Sequence, residues 1–115
     1  MNSLELSKVI KETLEDRHAN DVDIIDLTDK STIADYFVIA TARNASHVRA
    51  LADEVEEKLE AKGIVVSRKE GLRDGRWGVL DYDNVLVHLF NSDTRDFFCL
   101  EKLWKDHKVR EENDD

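Results

Sequence analysis

Residues 76–90, RWGVLDYDNVLVHLF, constrain this chain more than any other stretch. Two apolar runs flank the pair Asp83-Asn84, which has the chemistry of a two-residue hairpin turn with positive φ at both positions. A turn placed there sets the register of the two strands. Tyr82 then faces Val85, Leu80 faces Val87 and Gly78 faces Leu89. In the alternate pairs Asp81 faces Leu86, Val79 faces His88 and Trp77 faces Phe90. Side chains alternate across a strand, so a slip of one residue would exchange the two sets. One face carries Leu80, Val85, Val87 and Leu89, an aliphatic set that reads as core. The other carries Trp77, Val79, Asp81, Leu86, His88 and Phe90. Large aromatics beside a lone acid and a lone imidazole suit the centre of an interface. They also suit a covered core in which His88 is a satisfied, packed histidine. The residues alone leave both readings open.

The rest of the chain organises around this hairpin. Its 115 residues fit one domain, and an apolar content of 41% is enough to build a core. There is no proline and no repeat. Leu6, Val9, Ile10 and Leu14 fall at helical spacing and predict a helix over 3–18. Residues 21–27, DVDIIDL, read as a strand. The unbroken apolar run at 36–40 predicts an inner strand covered on both faces. Val48, Leu51, Ala52, Val55 and Leu59 make the stripe of a second helix, capped by Asn44 or Ser46 and stopped by Gly63. Residues 64–70 are a strand candidate, and 70–76, EGLRDGR, a charged loop. A last helix capped by Ser92 or Asp93 runs through DFFCLEKLWKDH. The expectation is a layered α/β (α+β) domain over 1–107, with one mixed, mostly five-stranded sheet flanked by helices. An acidic, disordered tail is expected over 108–115.

A net charge of −9 argues against a broad basic face for nucleic acid and favours a basic protein partner. Arg68, Lys69, Arg73 and Arg76 form the one local cluster of positive charge. They read as a solvated loop or as an auxiliary RNA phosphate contact beside a protein-binding face. No apolar run approaches the ~20 residues of a membrane helix. The N-terminal MNSLELSKVIKETLEDR mixes charge with apolar residues, unlike a signal peptide, and the single Cys99 suits a reducing compartment. Both point to the cytoplasm.

Catalytic patterns are sparse. His18, His47, His88 and His107 have no metal-ligand spacing with one another or with Cys99. Ser31 and Ser46 lack the glycine elbow of a serine hydrolase, and neither a Walker loop nor a dinucleotide fingerprint occurs. Asp81 and Asp83 could share a strand face as metal ligands, but Asp83 fits the turn better. No cofactor or metal is expected.

Five segments occur in order: DYFVIAT at 35–41, SHVRALADEVEEKL at 46–59, EG at 70–71, WGVLDYDNVLVHLF at 77–90 and RDFFCLEKLW at 95–104. Each is weak alone. Together they resemble the ribosomal silencing factor family, also called RsfS, YbeB or Iojap, over nearly the whole chain. The resemblance implies a nucleotidyltransferase-like fold without catalysis. It implies binding to large-subunit ribosomal protein fourteen, steric blocking of subunit joining when nutrients are short, and a homodimer in isolation. It implies a partner-binding set of Trp77, Asp81, His88 and Phe90 in the hairpin, and Arg95, Glu101 and Trp104 in the last helix, with Leu100 and Leu103 shared with packing. Two other readings stand beside it: a divergent metal-dependent nucleotidyltransferase using Asp81, and a plain homodimerisation module.

Overall fold

The computed structural model describes residues 1–92. The expected last helix, with Arg95, Leu100, Glu101, Leu103 and Trp104, and the expected tail after 107 lie outside them.

Helix α1 spans Ser3–Asp16. Asn2 caps it: its side chain accepts from the Glu5 N–H at 2.8 Å, and Glu5 accepts in return from the Asn2 N–H at 3.1 Å. This reciprocal box satisfies two donors that the first turn would otherwise leave open. Leu6, Ile10 and Leu14 form the buried stripe. Two polar residues, Ser7 and Thr13, are buried among them and donate to the Ser3 and Val9 carbonyls of the same helix. The chain reverses at His18, in the left-handed region at φ 69°.

Strands β1 (Asn20–Asp26) and β2 (Tyr36–Ala42) pair antiparallel, with a register break between Asn20 and Asp23. All seven residues of β2 are buried, as the unbroken apolar run predicts. Helix α2 covers Ala45–Glu60, and Asn44 is its cap, accepting from the His47 N–H at 2.8 Å. Gly63, at φ 81°, turns the chain past its end, where the Ile64 N–H bonds the Leu59 carbonyl.

His47 is buried at the start of α2. Its Nδ1 accepts from the Arg43 N–H at 3.0 Å, and its Nε2 lies 3.0 Å from the Arg17 carbonyl at the end of α1. Both ring nitrogens are thus used, and the histidine ties the two helices together. Sequence spacing alone gave no sign of this link.

The strand expected over 64–70 is shorter than its apolar content suggests: β3 is Arg68–Glu70. Its neighbour β4 (Trp77–Asp81) ends where the hairpin turns, so residues 64–66 have no strand to pair with. They run as an extended connector, with Ile64 and Val66 packed on the core and Val65 68% exposed.

Strands β4 and β5 (Val85–Asn91) pair in the register derived from the sequence, Trp77 opposite Phe90, Val79 opposite His88 and Asp81 opposite Leu86. The turn differs in one respect. Only Asp83 has positive φ, 71°. The Asn84 N–H bonds the Tyr82 carbonyl at 2.9 Å, which makes a γ-turn about Asp83. Meanwhile the Asn84 carbonyl accepts from the Asp35 and Tyr36 N–H groups at 2.8 and 3.2 Å. Those bonds tie the turn to the start of β2.

The sheet order is β1-β2-β5-β4-β3, with β2 and β5 parallel and the other pairs antiparallel. Both described helices lie on the same face. There Ile10, Leu14, Leu51, Val55 and Leu59 close over Val38, Leu80, Val87 and Leu89. A fully buried aliphatic side chain is worth about 1.5–3 kcal/mol, so this layer is the main source of stability.

Candidate functional site

The opposite face of the sheet holds the hairpin residues that the sequence left ambiguous. Pairing with β2 brings Phe37 beside Leu86 and Ile39 beside His88. Ile25, Leu27, Ala34, Phe37, Ile39 and Phe90 form a second, smaller cluster, with Trp77 and Leu86 packed against it. Among the described residues, no helix lies on this face.

Trp77 is half-buried. Its indole stacks on Phe90, with centroids 5.2 Å apart and planes at 25°. Its Nε1–H donates to His88 Nδ1 at 3.1 Å. Trp77 and His88 are diagonal across the β4–β5 pair, a separation that an aromatic side chain can bridge. Phe37 meets the imidazole edge-on at 4.5 Å. His88 is 7% exposed, and burial lowers its pKa from 6.5 to about 4. The ring is therefore neutral at pH 7. Since Nδ1 accepts from the indole, the proton belongs on Nε2, a buried atom without a hydrogen-bond partner among the described residues.

Farther along the same face is a cleft of about 370 Å³ lined by Ile33, Arg68, Glu70, Val79, Asp81, Asp83 and Leu86. Val79, Leu86 and Ile33 supply its apolar lining, and three carboxylates and one guanidinium its charge. Arg68 Nε lies 3.4 Å from Glu70. Asp81 accepts from the Asp83 N–H at 2.8 Å, and the Asp83 carboxylate accepts from the Ser67 hydroxyl at 3.0 Å. Ile33 is 71% exposed. It went unnoticed in the sequence because it stands in the loop just before the apolar run of β2, where it looks like an overhang of the strand.

The structure thus brings Trp77, Asp81, His88 and Phe90 onto one face, but at different depths. Trp77 and Asp81 are partly exposed, His88 lies beneath, and Phe90 is fully buried. Arg95, Glu101 and Trp104 lie outside the described residues. The basic cluster does not assemble into a patch. Arg68 faces the cleft. Lys69 points to the other side of the sheet, 3.3 Å from Glu56 of α2. Arg76 lies 3.6 Å from Asp74. Arg73 is exposed, and its carbonyl accepts from Arg49 at 3.0 Å. Among the described residues, no group of three or more His, Cys, Asp or Glu side chains could hold a metal ion. No described helix is long and apolar enough to cross a membrane.

Among the described residues, two helices cover one face of a five-stranded sheet and leave an aromatic, acid-bordered face opposite. The family model described as "Ribosomal silencing factor during starvation" matches residues 1–115. The ribosomal silencing factor RsfS of Bacillus subtilis is 35% identical over 106 residues, covering 92% of this chain and 90% of that protein. A crystal structure of a Chromobacterium violaceum protein superposes with a TM-score of 0.87 at 31% identity, covering 91% of this chain and 88% of the other. A more distant relative, 27% identical over 94 residues, is the mouse "Mitochondrial assembly of ribosomal large subunit protein 1"; the match covers 79% of this chain and 41% of that protein. The chain belongs to the ribosomal silencing factor (RsfS/Iojap) family.

Proposed function

We propose that this chain is a steric antiassociation factor. It binds ribosomal protein fourteen of the large subunit through the second sheet face, and its bulk excludes the small subunit and lowers translation when nutrients are short. The observation that carries the reading is a half-buried tryptophan beside an acid-lined cleft on the sheet face opposite α1 and α2, in a chain of this family. A net charge of −9 favours a basic protein partner and disfavours bare RNA. The name of the mouse relative concerns the large subunit, in keeping with that side of the ribosome. Trp77 and Asp81, with Val79 and Leu86, make the contact; His88 and Phe90 support it from below. Arg95, Glu101 and Trp104 complete the partner-binding set. The free protein is a cytoplasmic homodimer, and the function needs no catalytic step or cofactor.

The test is to incubate the protein with purified large subunits, add small subunits, and follow joining by sedimentation, with Trp77→Ala alongside. The wild type is expected to comigrate with large subunits and block joining. The folded Trp77→Ala protein should lose ~2 kcal/mol or more of binding, as interface tryptophan anchors do. A wild type that neither binds nor blocks would refute the function. Equal blocking by both proteins would remove Trp77 from the contact.

A further inference from the structure

We propose that His88 is the positioning residue for Trp77: its neutral imidazole holds the indole N–H, so that Trp77 meets a partner through ring carbon alone. The inference rests on the reading that Trp77 contacts the large subunit.

Phe90 fixes the indole plane by stacking at 5.2 Å, but stacking leaves rotation within that plane soft. The bond from Trp77 Nε1 to His88 Nδ1 at 3.1 Å is directional and removes that freedom. Phe37, edge-on to the imidazole at 4.5 Å, holds His88 in turn. The three contacts form a chain from the buried strand β2 out to the half-buried indole.

A histidine at this position is a poor choice for packing. Its Nε2 is buried without a hydrogen-bond partner among the described residues, and an apolar side chain of similar size would avoid that penalty. Of the described groups around it, one uses its polarity: the indole N–H. The acceptor at Nδ1 is the one thing His88 provides that phenylalanine or leucine could not.

With its N–H taken internally, Trp77 does not donate to a carbonyl or carboxylate on the partner. Its ring carbon attracts aliphatic side chains and, through the ring quadrupole, the cationic heads of lysine or arginine. That chemistry matches the neighbouring cleft, which pairs Val79, Leu86 and Ile33 with Asp81, Asp83 and Glu70. The expected complement is a lysine or arginine whose stem lies on apolar surface.

The test has a structural and a binding arm. In the ¹⁵N-labelled free protein, a scalar coupling across the hydrogen bond between Trp77 Nε1 and His88 Nδ1 is expected, with Trp77→Phe identifying the indole signal of the two tryptophans. This arm uses the unmutated chain and does not depend on whether a variant folds. For binding, His88→Phe is expected to keep its circular dichroism, shift the Trp77 indole resonance and bind large subunits ~10-fold more weakly. Trp77→Phe, which keeps an apolar ring, should lose less than Trp77→Ala. In the Trp77→Phe background, His88→Phe should add nothing, because a residue that acts through another shows no independent effect. Absence of the coupling, or an unmoved indole in His88→Phe, overturns the positioning role whatever the ribosome does. Coupling present but unchanged affinity in His88→Phe overturns its part in recognition. If the unmutated protein does not bind large subunits at all, the function above fails and this inference fails with it.

Discussion

The sheet face beneath α1 and α2 is closed by Ile10, Leu51 and Val55 over Val38, Val87 and Leu89, all fully buried and none with a polar side-chain atom. The opposite face seats Asp23, Asp81 and His88 among Phe37, Trp77 and Phe90. Both faces are built by the same strands, with the same period. On the first, most groups are satisfied by contact alone; Ser7 and Thr13 bond within α1, and the Tyr82 hydroxyl is buried without a hydrogen-bond partner among the described residues. The second contains groups that demand specific partners, and it meets that demand in pairs: indole to imidazole, Asp81 to the Asp83 N–H, Arg68 to Glu70. Aliphatic contact thus dominates the first face, and specific polar pairs mark the second.

The largest expected consequence of this difference is in stability. Leu51→Ala, on the aliphatic side, should cost ~3 kcal/mol in urea denaturation, while Val79→Ala on the second face costs under ~1 kcal/mol. Equal losses would mean that the two faces share the load and that the contrast is false.

The next effect is in pH dependence. The unfolded His88 takes up a proton near pH 6.5, and the folded one only near pH 4. Between these values the unfolded state holds more protons, so acid favours unfolding. The contribution of His88 is fully present above pH 6.5 and is lost as pH falls toward 4, by up to about 3 kcal/mol. Urea midpoints measured across that range for the wild type and His88→Phe should diverge toward the acid end, with the variant flatter. Parallel curves would show that His88 is not buried neutral.

Gly71 offers a smaller, local way to disturb the second face. It sits at φ 75°, and an added Cβ would clash with the Trp77 carbonyl oxygen. Gly71→Ala should cost ~2 kcal/mol from left-handed strain and the clash together. It should also shift the Trp77 indole resonance without moving the signals of α1. A shift spread evenly over both faces would deny the second face its local independence. The smallest effect belongs to charge. Lys69→Ala removes the exposed pair with Glu56 and should change stability by less than ~0.5 kcal/mol. A larger loss would give the polar side of α2 a structural role.

Much of this was readable in residue order. The DYDN turn set the hairpin register, and alternation then separated Leu80, Val85, Val87 and Leu89 from Trp77, His88 and Phe90 before any tertiary contact was known. The stripes of α1 and α2, the Asn44 cap and the Gly63 stop are equally local. What stayed illegible depended on parts of the chain far apart in sequence. The spacing of His47 says nothing of Arg17, yet their contact links the two helices. Ile33 looks like loop until β2 and β5 place it beside Leu86 and Val79. The four basic residues read as a cluster on paper, and the alternation of β3 together with neighbouring acids divides them.

The sequence by itself therefore determined which residues share a face, because a strand repeats every two residues and a helix every 3.6. It also determined the family. Only the tertiary structure decided what each face touches. The parallel pairing of β2 with β5 sets Phe37 against His88, and the turn at Asp83 is tied to β2 by the Asn84 carbonyl. These contacts join residues dozens of positions apart and leave no periodic trace, so depth, hydrogen-bond partners and the lowered pKa of His88 could be read only from the folded chain.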